Sequence, residues 1–272
     1  MNKIDLIIKN IEEGVKEIYT SDKYLKYLNT VSKFHQYSLN NTLLINMQCP
    51  NASLVASYTT WKNHFKRHVK SHEKGIKIII PYIKKKTQLD ENGETKEEET
   101  IIGYRIGNVF DYSQTEGQEL PTLSKELNEE VENYEKLIEA IIKVSNVKIE
   151  FEDMEENLDG YFNKKNKIIH IRNNMGQSQT INALLHELTH AYLHQDNFVS
   201  LFKDTNTQDV EAESVSYVVC KYFNIETKEN SFAYIATWSK DKNLTELKNS
   251  LDTISELAHE FIDKISKKIK KI

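Results

Sequence analysis

The chain has 272 residues, a formal net charge of -5 and a hydrophobic content of 39%. An aromatic content of 10% excludes a disordered chain, while the scarcity of glycine (8) and proline (3) excludes collagen-like and turn-dense all-β classes. No apolar run approaches the ~20 residues that span a bilayer, and the N-terminus lacks the apolar core of a signal peptide. With only two cysteines, the composition predicts a helix-rich cytoplasmic protein without a disulfide framework or a membrane partner.

Helical periodicity dominates the first part of the chain, and two strands follow it. Apolar residues at helical spacing predict helices over residues 3–19, 22–32, 40–48 and 57–70. Runs of β-branched residues predict strands over residues 75–82 and 100–106. The polar, acidic segment 87–99 between these strands is interpreted as a hairpin tip or a loop.

The segment 114–124 is the best domain boundary, because it is polar and lacks periodicity. We therefore place one domain at residues 1–118, a linker at 119–128 and a second domain at 129–272. The second domain alternates predicted helices and strands, in the order helix 130–144, strands 148–151 and 167–171, and helices 179–193, 209–223 and 244–269. This order predicts an α+β fold.

The clearest functional motif is H-E-x-x-H, formed by His186, Glu187 and His190. Histidines four residues apart on a helix point the same way, so two neutral imidazoles can hold one divalent cation, with zinc expected. The metal lowers the pKa of a bound water and polarises a carbonyl, and Glu187 can act as general base. His194 lies one turn further along the helix, beyond reach of that metal, and is expected either to support the metal ligands from outside the coordination sphere or to have a structural role.

The third metal ligand is sought on the following helix, which offers Asp209, Glu211 and Glu213. Asp209 and Glu213 share a helix face, and Glu211 points away from it. We favour Glu213, with Glu211 as the rival. A further hypothesis is that the edge of the strand 167–171 pairs with an extended peptide substrate.

A basic window at residues 62–86 offsets the mildly acidic average, with nine lysines and arginines against one acid. Aromatic residues interleave with these charges, a combination that suits single-stranded DNA. The alternative is a solvated lysine face with its aromatic residues in the core. The residues predicted to bind nucleic acid are Trp61, Lys62, Lys66, Arg67, Lys70, Lys74 and Lys77.

Several segments, taken in order, resemble ArdC-type antirestriction proteins. Residues 37–45, 55–61 and 74–81, with a closing segment at 109–115, resemble the N-terminal domain of that family. Residues 185–191, 212–220 and 231–239 resemble the zincin-like peptidase domain that accompanies it. The likeness runs from about residue 20 to residue 265, and only H-E-x-x-H is decisive by itself.

The resemblance implies a helix-plus-antiparallel-sheet domain that binds single-stranded DNA and a zincin-like metallopeptidase domain. It implies an antirestriction role on a conjugative mobile genetic element, with a protein or peptide as the peptidase substrate. The family's Ala-Glu pair falls on Ala212 and Glu213, which supports Glu213 as the third ligand. Tyr234 and Trp238 fall on the family's aromatic segment, and packing is the expected role of Trp238.

Two other functions remain open. The peptidase domain also resembles ImmA/IrrE-type regulatory proteases, which cleave repressors and carry a histidine at the position of His194. In that case the basic face would recognise an acidic partner protein. The second is a DNA-binding module with a vestigial metal site, against which the intact Glu187 argues.

Overall fold

A computed structural model of the chain describes residues 3–19, 21–89, 95–120, 131–193, 204–227 and 235–271. Contacts divide the chain into two compact units. We call Met1–Gly14 with Asn40–Leu120 the N-terminal unit, and Val15–Leu39 with Pro121–Ile272 the C-terminal unit. Among the described residues, no helix is long and apolar enough to cross a membrane.

The N-terminal unit combines helices with antiparallel strands. Its helices are α1 (Lys3–Ile18, continuing into the other unit), α3 (Leu39–Gln48) and α4 (Tyr58–Asn63). Its strands are β1 (Val55–Ala56), β2 (Arg67–Val69), β3 (Ile76–Leu89), β4 (Thr95–Asp111) and β5 (Thr115–Gly117). The order β1-β4-β3 forms one sheet, and β2 with β5 forms a second. The predicted strands at 75–82 and 100–106 are thus parts of one long hairpin that extends into the acidic segment.

Two side-chain amides of α3 cover the free edge of β3. Asn41 accepts from the backbone N–H of Ile79 at 2.8 Å and donates to its carbonyl at 2.9 Å. Gln48 makes the same pair of bonds with Lys77, both at 2.9 Å. Because exposed strand edges attract other chains, these amides stabilise the base of the hairpin and protect its edge.

A buried carboxylate fastens the end of β4. Asp111 accepts hydrogen bonds from the backbone N–H groups of Ser53, Leu54 and Ser113, at 2.7, 3.2 and 2.9 Å. It also caps a short 3-10 helix through a capping box with Gln114. The closing segment of the family resemblance therefore has a structural role in this unit.

The predicted helix 57–70 is wrong in its second half. Helix α4 ends at Asn63, and residues 67–69 form β2, which pairs with β5. Lys66 has a positive φ of 54°, which a continuing helix cannot accommodate. Helical spacing of apolar residues did not reveal this break, because the pairing partner lies some fifty residues further on.

The C-terminal unit packs helices around a three-stranded sheet. Its helices are α2 (Ser21–Lys33), α5 (Val131–Val144), α6 (Gln177–Leu193), α7 (Thr205–Tyr222), α8 (Ile235–Trp238) and α9 (Leu244–Ile269). Its strands are β6 (Lys148–Glu152), β7 (Gly160–Asn163) and β8 (Ile168–Arg172). The strand order is β6-β8-β7, with β8 parallel to β6 and antiparallel to β7.

This topology overturns the hypothesis that the strand 167–171 pairs with a substrate. That strand is β8, and both of its edges are already hydrogen-bonded to neighbours. The strand that retains a free edge next to α6 is β7. Any strand addition near the H-E-x-x-H helix would therefore use β7.

Helix α2 packs with the C-terminal unit. The hydroxyl of Tyr24 contacts Ser214 of α7 at 2.8 Å, and that of Tyr27 contacts Ser255 of α9 at 3.2 Å. Both tyrosines are fully buried, so this packing contributes to the core of the unit. The sequence-based boundary places these residues in the first domain, and most of its predicted linker lies in residues 121–130, outside the described residues.

Candidate functional site

The H-E-x-x-H residues lie on helix α6, whose apolar side chains are buried. Its apolar residues Leu184, Leu185 and Leu188 are fully buried, and α6 packs against α7. The rings of His186 and His190 lie 4.8 Å apart between centroids, and their Nε2 atoms are 3.1 Å apart. The predicted convergence of the two imidazoles on one point is therefore present.

Helix α7 runs antiparallel to α6 and brings two carboxylates to this histidine pair. Asp209 Oδ1 lies 3.7 Å from His190 Nε2, and Glu213 Oε2 lies 3.4 Å from His186 Nδ1. Among the described residues, the group with metal-binding geometry consists of His186, His190 and Asp209, whose ligand atoms lie within 4.8 Å of one another.

Glu213 stays the third ligand predicted from the sequence, but the group whose ligand atoms converge contains Asp209 together with His186 and His190. Glu213 contacts the ring nitrogen of His186 that faces away from His190, a position from which a carboxylate orients the ring. The rival, Glu211, is fully buried on another face of α7. The shared face of Asp209 and Glu213 was readable from spacing, but the register of α7 against α6 was not.

Glu187 is withdrawn from solvent, with 9% of its surface exposed. Its carboxylate accepts a hydrogen bond from the backbone N–H of Phe162 in β7. Gly160 of the same strand packs closely against β8, since a Cβ there would stand 2.8 Å from the carbonyl oxygen of His170. Burial raises the pKa of Glu187 above its ordinary value, although His186 and the Phe162 N–H pull it down.

His186 is held among three acids. Burial alone lowers the pKa of His186, but Glu213, Glu187 and Asp209 together raise it above the ordinary value. A neutral histidine that donates Nδ1–H to a carboxylate presents its Nε2 lone pair to the opposite side. Glu213 thus favours the tautomer of His186 that carries its proton on Nδ1, so that the lone pair of Nε2 is directed toward His190.

This donor set fits a first-row divalent cation. With bonds of about 2.0–2.1 Å, tetrahedral ligand atoms lie about 3.4 Å apart, close to the 3.1 and 3.7 Å separations found here. Two imidazoles and one carboxylate leave a fourth position open, as in catalytic sites. A cleft of about 700 Å³ opens beside Glu213, with a polar lining that includes Asp159, Gln179 and Asn182.

Two residues predicted to contact nucleic acid are buried instead. Trp61 is 0% exposed and donates Nε1–H to the carbonyl of Phe110 at 2.8 Å. Arg67 is 6% exposed, and its guanidinium donates to Thr115, Gly117 and Gln118. Neither side chain presents a face to a base or a phosphate, so both are corrected to structural roles.

The other predicted DNA contacts lie on the surface. Exposed ammonium groups occur at Lys62, Lys66, Lys70, Lys74 and Lys77. The exposed tyrosines of the unit are Tyr58, Tyr82 and Tyr104, of which Tyr82 lies within the basic window. The sequence pattern located the basic window, but it could not reveal that Trp61 is buried and that Tyr82 is exposed.

Three residues of the family resemblance can be placed only in part. His194 and Tyr234 lie outside the described residues. Trp238 is buried, and its indole N–H donates to Thr207 Oγ1 at 3.1 Å. The expected packing role of Trp238 is confirmed.

Two family models match the chain in the order that the resemblance predicted. Residues 2–110 match the N-terminal domain of the anti-restriction factor ArdC, and residues 142–261 match the IrrE N-terminal-like domain of the M78 peptidases. The chain therefore has the domain composition of ArdC-type antirestriction proteins, with an M78 peptidase-like domain. The resemblance and the α+β fold class are confirmed.

Solved structures show the same fold. The metal-free crystal structure of the antirestriction protein ArdC from the R388 plasmid matches with a TM-score of 0.52 and 18% identity, over 87% of this chain and 86% of that chain. Its Mn(II)-bound structure matches with a TM-score of 0.50 and 18% identity, over 86% and 85% of the two chains. At 18% identity, this likeness shows that the two chains share a fold.

A curated relative matches almost the whole chain. An uncharacterized protein of Bacillus anthracis is 31% identical over 98% of this chain and 52% of its own length. The chain thus spans about half the length of this relative.

Proposed function

We propose that this protein is an antirestriction factor that binds single-stranded DNA with its N-terminal unit and hydrolyses peptide bonds with its C-terminal unit. The proposed peptidase activity rests on the buried Glu187 beside His186, His190 and Asp209, whose ligand atoms converge. We assign zinc to these three residues. The DNA-binding part ends near residue 118, before the linker at 119–128. The protein acts in the cytoplasm and protects the DNA of a mobile genetic element.

The residues around the metal have distinct tasks. A bound divalent ion supplies Lewis acidity at a peptide carbonyl and makes water a nucleophile near neutral pH. Glu187 takes a proton from that water at its carboxylate and returns it to the leaving amine. The raised pKa of Glu187 suits this exchange, because an acid–base group works best when its pKa approaches the operating pH.

The substrate backbone is proposed to lie along β7. The edge of β7 that does not pair with β8 contains Phe162, whose N–H donates to Glu187. A peptide added antiparallel to this edge would cross the mouth of the metal site, with its side chains able to reach the cleft next to Glu213.

The DNA-binding half rests on the exposed lysines of the basic window and on the family of the domain. Each lysine that neutralises a phosphate releases a counterion, so binding should weaken steeply as salt rises. Trp61 and Arg67 support this surface from within the unit.

The test uses the full chain and the variant Glu187→Gln. We expect the variant to bind one metal ion and single-stranded DNA like the wild type, but to lose cleavage of a peptide library read by mass spectrometry. Glu156→Gln, an exposed acid of the same unit, is the matched control. Undiminished cleavage by Glu187→Gln would reject the proposed mechanism.

The second candidate is a regulatory metalloprotease, favoured by the match to the IrrE N-terminal-like domain. Its essential activity would be cleavage of a protein such as a repressor. The same variant separates the two functions in a transfer assay with a restricting host. If Glu187→Gln still protects incoming DNA, antirestriction is independent of proteolysis; if protection vanishes while DNA binding persists, proteolysis is essential.

A further inference from the structure

The hairpin of β3 and β4 carries an unusual concentration of exposed apolar side chains. Five large hydrophobic residues of this hairpin are half or more exposed, namely Tyr82, Ile83, Ile101, Ile102 and Tyr104. Contiguous exposed apolar surface on a folded protein commonly marks a binding site. Helix α3 covers the edge of β3 at Lys77 and Ile79, and the exposed apolar residues lie further along the hairpin, in the part that we call the ribbon.

The register assigns these residues to opposite faces of the ribbon. Tyr82 pairs with Gly103, and Ile80 pairs with Arg105, so Tyr82 and Arg105 share one face. Tyr104 pairs with Pro81 and points to the other face. The two tyrosines are equally exposed, at 52% each, which makes them a natural pair for comparison.

The face of Tyr82 has room for a flat ring. A Cβ built on Gly103, directly across from Tyr82, would meet nothing within 4 Å. Gly103 is not among the residues with positive φ, so open space rather than backbone geometry distinguishes this position. Tyr82 therefore lies across from a position of β4 that has no side chain and has open space above its Cα.

Positive charge surrounds the same face. The guanidinium carbon of Arg105 lies over the Tyr82 ring, 5.9 Å from its centroid, so a base would stack on the ring face that Arg105 does not cover. Lys84, two residues after Tyr82 on β3, points to the same side and is exposed. A ring for stacking, beside two cations that can bind phosphates, is the arrangement that sequence-tolerant binding of single strands requires.

From this geometry we infer that the Tyr82 face of the β3–β4 ribbon is the base-stacking surface for single-stranded DNA. An unpaired base lies over Gly103 against Tyr82, and Arg105 and Lys84 contact the flanking phosphates. The inference rests on the proposed DNA-binding function and assigns to Tyr82 the stacking role that was predicted for Trp61. The opposite face, with Tyr104, is not part of this site.

The test measures binding of a fluorescein-labelled oligothymidylate to the full chain by anisotropy over a series of salt concentrations. Tyr82→Ala should weaken binding by about 5- to 150-fold, the range for loss of one stacked base, whereas Tyr104→Ala should stay within about twofold of wild type. Arg105→Gln should lower the slope of log affinity against log salt by about 1.

Gly103→Val distinguishes a lost surface from a damaged fold. Valine favours strands and has space here, so the variant should unfold no more easily than wild type and yet bind the oligonucleotide more weakly. Wild-type affinity in both Tyr82→Ala and Gly103→Val would overturn the inference and leave the DNA-binding function standing. Absence of oligonucleotide binding by the wild-type chain would overturn both. A dimer that dissociates in Tyr82→Ala, with unchanged DNA affinity, would assign the face to a second copy instead.

Discussion

The two units place their functional groups in different environments. In the C-terminal unit, Glu187 is buried and the side chains of His186 and His190 are 24% and 15% exposed, while Asp209 is exposed. Neighbours on β7 and α7 orient Glu187 and His186. In the N-terminal unit, the exposed lysines and the Tyr82 ring project from the surface. Burial and fixed orientation suit a bond-breaking reaction, which needs groups held in one geometry. An exposed ribbon suits a ligand recognised by charge and stacking, whatever its base sequence.

The contrast extends to the arginines of the N-terminal unit. Arg67 is buried and satisfies carbonyls around β5, whereas Arg105 is exposed beside Tyr82. One guanidinium therefore stabilises the fold, and the other is available for a ligand.

Replacing the third metal ligand should have the largest effect. Asp209→Ala removes a ligand atom next to His190, so we expect metal affinity to fall by more than about 100-fold. The measurement is calorimetric titration of Zn²⁺ into the metal-free protein. Unchanged affinity would place the third ligand elsewhere.

Arg67→Ala should destabilise the N-terminal unit by on the order of 3 kcal/mol, because it leaves several buried carbonyl groups without a donor. Lys66→Ala, at the adjacent exposed position, is the matched control and should leave the free energy of unfolding almost unchanged while lowering the salt dependence of DNA binding. Urea unfolding measures the first effect and a salt titration the second. Equal stability of the two variants would contradict the assignment of Arg67 to the core.

Glu213→Gln should reduce metal affinity by about 10- to 100-fold, the usual cost of removing a partner that orients a metal-bound histidine. The loss should be smaller than for Asp209→Ala in the same titration. A larger loss would restore Glu213 as a direct ligand.

Asp111→Asn should lower the free energy of unfolding by about 1–3 kcal/mol at neutral pH. Burial raises the pKa of Asp111, but hydrogen bonds from Ser113, Ser53 and Leu54 outweigh it and hold the pKa below its ordinary value. The charged form therefore stabilises the fold above about pH 4, and this contribution is lost as the pH falls through the lowered pKa. Urea unfolding of wild type and variant should converge in acid; a constant difference would contradict the role of the charge.

Local spacing predicted the metal site better than the DNA surface, and the reason is physical. The convergence of His186 and His190 needs only one helical turn, so the sequence specifies it directly. The choice of Asp209 over Glu213 depends on the register of two helices, and the burial of Trp61 depends on β4, which lies far along the chain. The end of α4 likewise depends on the pairing of β2 with β5. In each of these cases, contacts with residues distant in sequence determine where the side chain lies, and spacing and composition do not reveal those contacts.

The most direct test of the metal centre is a crystal structure of the zinc-loaded protein with anomalous diffraction at the zinc edge. We expect one ion bonded to Nε2 of His186, Nε2 of His190 and a carboxylate oxygen of Asp209. Glu213 should contact Nδ1 of His186, and Glu187 should lie beside the open coordination position. An ion bonded to Glu213 with Asp209 outside its coordination sphere, or an ion bound away from the histidine pair, would contradict this expectation.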